Sequence, residues 1–304
     1  MKEKQSSLRM NRIRLGTNVL FNLLFIILAV CAILPVIFVF MISISSEESI
    51  RQVGYSFLPI ELSNKAYMFL WNERSTIWGA LKISIAVTCI GTLLGLFLTT
   101  AMGYSLSRPE FRLKKFYTWV IFIPMLFGGG LVASYVVNAN ILGLRNSLWV
   151  LILPLAVSSY NIVICKTFFK STIPDGIIES AMIDGATQLR IFASIVIPIS
   201  KPLLATIALF LCFGYWNDWF LSSLYISKNE LVSLQALLNN IMRSLEYMSN
   251  NPSAGVSLQQ YRAQMPSESV RMAIAIVIVI PIACAYPFFQ KYFISGLTIG
   301  AVKG

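Results

Sequence analysis

Three places in the chain set hydrogen-bonding and aromatic side chains inside otherwise apolar stretches. They are Ser134, Tyr135 and Asn138; Ser158, Ser159, Tyr160 and Asn161; and Tyr215, Trp216, Asn217, Asp218 and Trp219. Polar groups within a membrane-crossing stretch usually face a cavity or the bundle interior. Indole and phenol faces beside amide and carboxylate oxygens make a surface suited to a hydroxyl-rich solute, and the third cluster carries that pattern most fully. A competing reading makes Trp219 an anchor at the membrane–water boundary and pairs Asp218 with a neighbouring subunit. The chain has no histidine, which removes the commonest metal ligand and the usual general base. It also lacks H-E-x-x-H, G-x-S-x-G and the phosphate-cradling G-x-x-x-x-G-K-[ST]. Neither catalytic residues nor a metal site is expected, and the chain by itself has no P-loop for ATP.

A fourth stretch is polar for a different reason. ESAMIDGATQLRIFASIVIP, residues 179–198, carries two acids, one arginine and several small residues between strongly apolar neighbours. Pro174, Asp175 and Gly176 break any helix arriving from upstream. Beyond them Ile178, Ala181, Met182, Gly185, Ala186 and Leu189 recur at helical spacing, predicting one continuous stripe on one helix. Ser180, Asp184, Thr187 and Gln188 fall on the opposite face. A glycine inside a helix costs about 1 kcal/mol relative to alanine, so Gly185 is expected to serve close approach of another surface. Helices that rest on lipid headgroups are rich in Lys and Arg, whereas Arg190 is the one base between Lys170 and Lys201. Docking to protein is therefore favoured over docking to lipid. Pro198 and Pro202 suit a sharp return into the membrane.

The elements that position these groups follow from composition. Of 304 residues 57% are hydrophobic and 12% charged, against roughly 25% charged in soluble domains. A membrane-spanning helix needs about 20 mostly apolar residues, and the pattern predicts an all-α, polytopic helix bundle with about six spans. Their ranges are 17–44, 79–107, 116–138, 147–169, 201–225 and 271–292. Residues 1–16 and 295–304 are terminal segments, 172–198 a connecting segment, and 226–269 the largest external loop. The net charge of +11 does not point to nucleic acid. Fifteen of the 24 basic residues, among them Lys2, Arg14, Arg108, Lys114, Lys166, Lys170 and Lys291, fall on the side that holds both termini. That is the positive-inside bias, and it predicts cytoplasmic ends. The first span is too long for a signal-peptide core. The five cysteines have no C-x-x-C spacing and read as small packing residues. Gly91 and Gly95 form a G-x-x-x-G pair, expected to bring helices together within the subunit rather than to mark a dimer face. Gly128, Gly129 and Gly130 could unwind the third span, which is tolerated where backbone lines a cavity, or simply allow a packing bend.

At residues 179–198 the chain resembles the integral permease subunits of ABC importers, whose signature runs E-A-A, three residues, G, nine residues, I-x-L-P. Glu179, Ala181, Gly185, Ile195 and Pro198 match in place; Ser180 stands for the second alanine and Ile197 for the leucine. Stretches around Phe127–Leu131, Leu142–Asn146, Ile183–Ala186, Ile197–Pro202, Trp216–Phe220 and Gly296–Gly304 are similar to the oligosaccharide and polysaccharide uptake branch related to the maltose permeases. The resemblance implies that a helix of about 179–189, with Glu179, Ala181, Met182, Asp184, Gly185, Ala186, Leu189 and the following Pro198, seats in a cleft of a cytoplasmic ATPase. It implies a second homologous permease, two ATPase subunits holding ATP and Mg, and an extracytoplasmic sugar-binding protein, in the plasma membrane of a bacterium. It makes the loop 226–269 a candidate surface for the binding protein, the alternative being a solvated connector; and for a sugar solute the polar residue types make Tyr135, Asn138, Ser158, Tyr160, Asn161 and Tyr215–Trp219 candidates to line the path.

Other classes fit the sequence less well. A secondary transporter acting alone would carry ion-coupling charges in mid-span, and only Asp218 approaches that. An ABC permease for a non-sugar solute remains an alternative. An intramembrane enzyme has no motif in its favour.

Overall fold

The computed structural model describes residues 15–250 and 267–301. The expected N-terminal segment, all but Leu15 and Gly16, lies outside these residues, as do 251–266 of the predicted external loop and the last three residues of the tail. Helices dominate, and among the described residues the only β pairing is one isolated antiparallel bridge, Ser45 to Leu62. The all-α expectation holds. The chain forms two compact units, one of residues 1–72 and 255–277, the other of 73–254 and 278–304.

In the first unit α1 (Leu15–Ser43) is 29 residues long, about 43 Å at 1.5 Å per residue, enough to cross a bilayer. Its side chains are exposed from Leu15 as far as Ile37, and apolar surface of that extent belongs in lipid or against another subunit. A short α2 (Glu47–Val53) follows, capped by Ser46, whose hydroxyl accepts from the Ser49 amide, an arrangement that satisfies an orphan donor. α3 (Lys65–Asn72) returns, and the Tyr67 hydroxyl lies 2.8 Å from that of Ser43. The Glu47 carboxylate accepts from the amides of Glu268 and Ser269 at 3.1 and 3.3 Å. It thereby caps the last helix, α14 (Ser267–Ala301), where a negative charge meets the positive end of the helix dipole.

The second unit is built on α4 (Arg74–Ser107). Its 34 residues extend about 51 Å, more than the roughly 30 Å hydrocarbon core. Chief among the elements that pack on it are α7 (Trp149–Ala156) and α8 (Ser159–Thr172), α11 (Lys201–Asn217), and α13 (Leu234–Asn250). The glycine stripe makes this possible. A Cβ on Gly91 would lie 2.4 Å from Cζ of Tyr215, one on Gly95 2.7 Å from the Ala156 carbonyl oxygen, and one on Gly103 2.4 Å from Cβ of Cys165. The small residues thus serve packing inside the subunit, as expected. Cys165 is buried in that contact, whereas Cys31, Cys89 and Cys284 are exposed on the chain's surface.

The third, fourth and fifth apolar stretches are each broken, while the last lies within the continuous α14. α5 (Lys114–Leu126) stops at Phe127, and after Gly128 and Gly129 the chain resumes as α6 (Gly130–Tyr135), closing in a π-helical turn, Val136–Ile141. Gly130 has φ +77°, a conformation that favours glycine, so the third stretch does unwind at its glycines and runs three residues past 138. α7 and α8 meet at a 47° bend, just beyond Pro154, which has no amide hydrogen to continue the ladder. α8 ends at Thr172 because Ile173 precedes Pro174 and is held extended, ψ 107°. α11 stops at Asn217, and α12 (Phe220–Tyr225) starts after Asp218 and Trp219.

The bridging segment and the polar clusters

The segment between α8 and α11 is two helices rather than the single one expected. α9 (Asp175–Ile183) ends where Gly185 takes φ +79°. The Gly185 amide donates to the Met182 carbonyl and the Ala186 amide to that of Ala181, the paired bonds of a Schellman turn. Thr187 then caps α10 (Gln188–Ile199), its hydroxyl accepting from the Arg190 amide at 3.4 Å. α10 contains a π-helical stretch, Phe192–Val196, and after Ser200 the chain turns by 86° into α11. Nothing lies within 4 Å of a Cβ built on Gly185. Within the chain the glycine is needed for its backbone angle, and its Cα faces open space.

The turn also splits the predicted stripe. Ile178 is buried, and Ala181 and Ala186 pack against the core of their own unit. Exposure falls instead on Met182, Ile183 and Leu189, at 38, 86 and 81%, flanked by exposed Glu179 and Asp184 and near exposed Pro198. Ile183 lies beside the expected stripe and was missed because the continuous-helix reading put it off the apolar face.

Two residues at the end of α4 clamp this segment, and sequence reasoning assigned neither a role. Arg108, 7% exposed, bonds Oδ1 of Asp175 at 3.1 Å and lies over the Tyr104 ring, 5.3 Å from its centroid. The Tyr104 hydroxyl donates to Oε1 of Gln188 at 3.2 Å, and its ring meets Phe169 and Phe192. One contact holds the start of α9 and the other the start of α10. The available signal was the i, i+4 spacing of Tyr104 and Arg108 where the apolar run ends.

The polar clusters stay separate: among the described residues no hydrogen bond or ring contact joins one to another. Tyr135 stacks on Tyr225 with centroids 5.5 Å apart, and Asn138 donates to the Tyr225 hydroxyl at 3.3 Å. Tyr225 also accepts, through its carbonyl, the amide of Asn146. Asn146 has φ 57°, and its Oδ1 accepts from the amides of Ser227 and Lys228. Ser158 lies at the α7–α8 break, Tyr160 is exposed, and Asn161 is buried with no side-chain hydrogen bond among the described residues. Tyr215 is buried and donates to the Ile152 carbonyl at 2.7 Å; Trp216, also buried, donates to that of Ile278 at 3.3 Å. Asn217 bonds back to the Phe213 carbonyl, Asp218 accepts from the Leu221 amide, and Trp219 is exposed with Arg243 over its ring at 5.2 Å.

A membrane helix bundle in which bent helix pairs are bridged by a short segment clamped to a central helix has the build of a transport subunit. Residues 91–299 match the family described as binding-protein-dependent transport system inner membrane component. The chain is 34% identical to the polygalacturonan/rhamnogalacturonan transport system permease protein YtcP of Bacillus subtilis over 96% of this chain and 99% of that one. It is equally identical, 34%, to the protein LplC of the same organism over 90% of each. A crystal structure of a bacterial ABC transporter that imports the acidic polysaccharide alginate superposes with a TM-score of 0.77 at 28% identity, covering 91% of this chain and 96% of that one. The chain belongs to the family of binding-protein-dependent transport system inner membrane components, as an ABC transporter permease subunit.

Proposed function

We propose that the chain forms half of the translocation path of an ABC importer for an oligosaccharide or polysaccharide fragment, with six spans and both termini in the cytoplasm. ATP and Mg are held by two partner ATPase subunits and not by this chain. A second homologous permease completes the path, and an extracytoplasmic sugar-binding protein delivers the solute. The sugar class is supported by what YtcP and the alginate importer carry by name. The cytoplasmic ends are supported by the distribution of basic residues.

The observation that carries the coupling role is the bridging segment: fastened to α4 at both of its helices, it leaves Ile183 and Leu189 outside. An apolar pair so exposed, rimmed by Glu179 and Asp184, forms a knob for a cleft in the ATPase. Ala181 and Ala186 support it from beneath, and Gly185 gives it its shape. Among the path candidates, Ser158, Tyr160, Asn161, Asn138, Asn217 and Trp219 have polar atoms or ring faces to spare. Tyr215 and Trp216 are committed to backbone carbonyls and position the walls.

The test is Ile183→Asp together with Leu189→Asp in the reconstituted importer. Each apolar side chain lost from a contact is worth about 1.5–3 kcal/mol, so the ATPase should be retained at least roughly tenfold less well. Sugar-stimulated hydrolysis should fall with it while insertion is unchanged. Full stimulation with normal ATPase retention would remove the coupling role.

A further inference from the structure

Where α4 gives way to α5, an apolar cavity of about 300 Å³ opens, lined by Ala101, Met102, Leu106, Phe111, Tyr117 and Ile121 among others. Behind it the two helices and α8 share a small core of Leu106, Ile121 and Ile162. Lys114 follows the groove-lining Leu113 and donates to the Arg108 carbonyl at 3.3 Å. Burial pushes the Lys114 ammonium below its ordinary value, and Lys166 and Lys170 of α8 and Arg108 push it further, while Glu110 partly offsets them. On α8 Lys166 and Lys170 follow Ile162 at i+4 and i+8 and so continue the face that packs on α4 and α5, the Lys166 amide lying 3.2 Å from a Cβ built on Gly103. Arg108 is already bonded to Asp175, but among the described residues no carboxylate pairs with Lys114, Lys166 or Lys170.

We propose that this groove and its three lysines bind one anionic phospholipid, an acyl chain lying along α4 and α5 and the phosphate resting on Lys114, Lys166 and Lys170. Charge and shape select the occupant. Three ammonium groups against the one acid Glu110 favour an anion, and the groove that begins at Leu113, beside Lys114, offers apolar wall. A phosphate alone would leave that wall uncovered, and a zwitterionic lipid would bring its own cation into the cluster.

Native mass spectrometry of the purified complex, titrated with phosphatidylglycerol or phosphatidylcholine, reads the site directly. Near a surface each lysine contributes about 1 kcal/mol of attraction to anionic lipid, so phosphatidylglycerol should be retained at least about tenfold better than phosphatidylcholine. Lys114→Gln, Lys166→Gln and Lys170→Gln together should abolish that preference, and arginine at the same three positions should keep it. Ala101→Phe, which fills the groove and leaves the lysines intact, should weaken retention as well. Equal retention of both lipids, or a triple glutamine variant with the wild-type preference, would overturn the proposal. Displacement of phosphatidylglycerol by millimolar inorganic phosphate, with no effect of Ala101→Phe, would reduce it to a free-anion site. Cross-linking from Met102→Cys to the second permease would instead make the groove a subunit interface.

Discussion

Glycine does opposite work in two regions of this protein. On α4, Gly91, Gly95 and Gly103 have ordinary helical angles and no room: a Cβ at Gly91 or Gly103 would meet a neighbouring side chain at 2.4 Å. At the turn between α9 and α10, Gly185 has open space around it and a backbone angle of φ +79°. One region needs absence of volume and the other needs freedom from the steric rule that confines L-residues to negative φ. A glycine in a sequence therefore does not say which constraint it answers. The two can be told apart only by what surrounds the Cβ and by φ.

The largest expected effect lies on the crowded side. Gly91→Val puts branched carbons into the Tyr215 ring, and Gly103→Val does the same at Cys165. Overpacking of this kind costs about 1–3 kcal/mol or more, and here it wedges α4 away from α11 or α8. Thermal unfolding in detergent, followed by thiol labelling of the buried Cys165, should show both variants unfolding well below the wild type. Tyr215→Leu should rescue part of the Gly91→Ala loss, because it vacates the space. A Gly91→Val protein as stable as the wild type would erase the contrast.

A smaller effect should appear at Gly185, with the order of substituents inverted. Left-handed backbone costs most residues about 1–2 kcal/mol, with asparagine the usual exception. Gly185→Asn should therefore preserve sugar-stimulated ATP hydrolysis better than Gly185→Ala, and Gly185→Val should be worst. On α4 the smaller alanine should be tolerated better than asparagine at every glycine. If activity at Gly185 instead tracked side-chain volume, with alanine above asparagine, docking space rather than backbone angle would be the constraint.

That inversion marks where sequence reasoning succeeds and fails. The start of α9 after Pro174, the unwinding at Gly128–Gly130 and the subunit-internal packing of Gly91 and Gly95 were all legible, because proline and clustered glycine act on their own neighbourhood. The stripe from Ile178 to Leu189 was not, because one positive φ at Gly185 resets the helical phase and turns Ile183 outward while Ala186 goes in. Thr187 two residues later was the readable sign of a new helix start, masked by an apolar period that runs across the break. The clamp of Tyr104 and Arg108 was illegible for another reason: its partners, Gln188 and Asp175, lie 84 and 67 residues away.

The smallest predicted effect tests how the two glycine regions are joined. Tyr104 follows Gly103 on α4, and Gln188 follows the Gly185 turn by three residues, so their hydrogen bond ties the crowded face to the turned one. Tyr104→Phe removes that bond and keeps the ring against Phe169, Phe192 and Arg108. A part-buried hydrogen bond contributes about 1 kcal/mol, so the fold should survive. Amide hydrogen exchange over 188–191 should then speed up by roughly fivefold, the factor that about 1 kcal/mol represents. Exchange at 175–178 should stay slow, because the Arg108–Asp175 bond still anchors the start of α9. Arg108→Gln should give the reverse pattern, loosening 175–178 and sparing 188–191. If either variant loosened both ends equally, the segment would move as one body on α4, and the turn at Gly185 would be a rigid corner rather than a joint between two separately fastened helices.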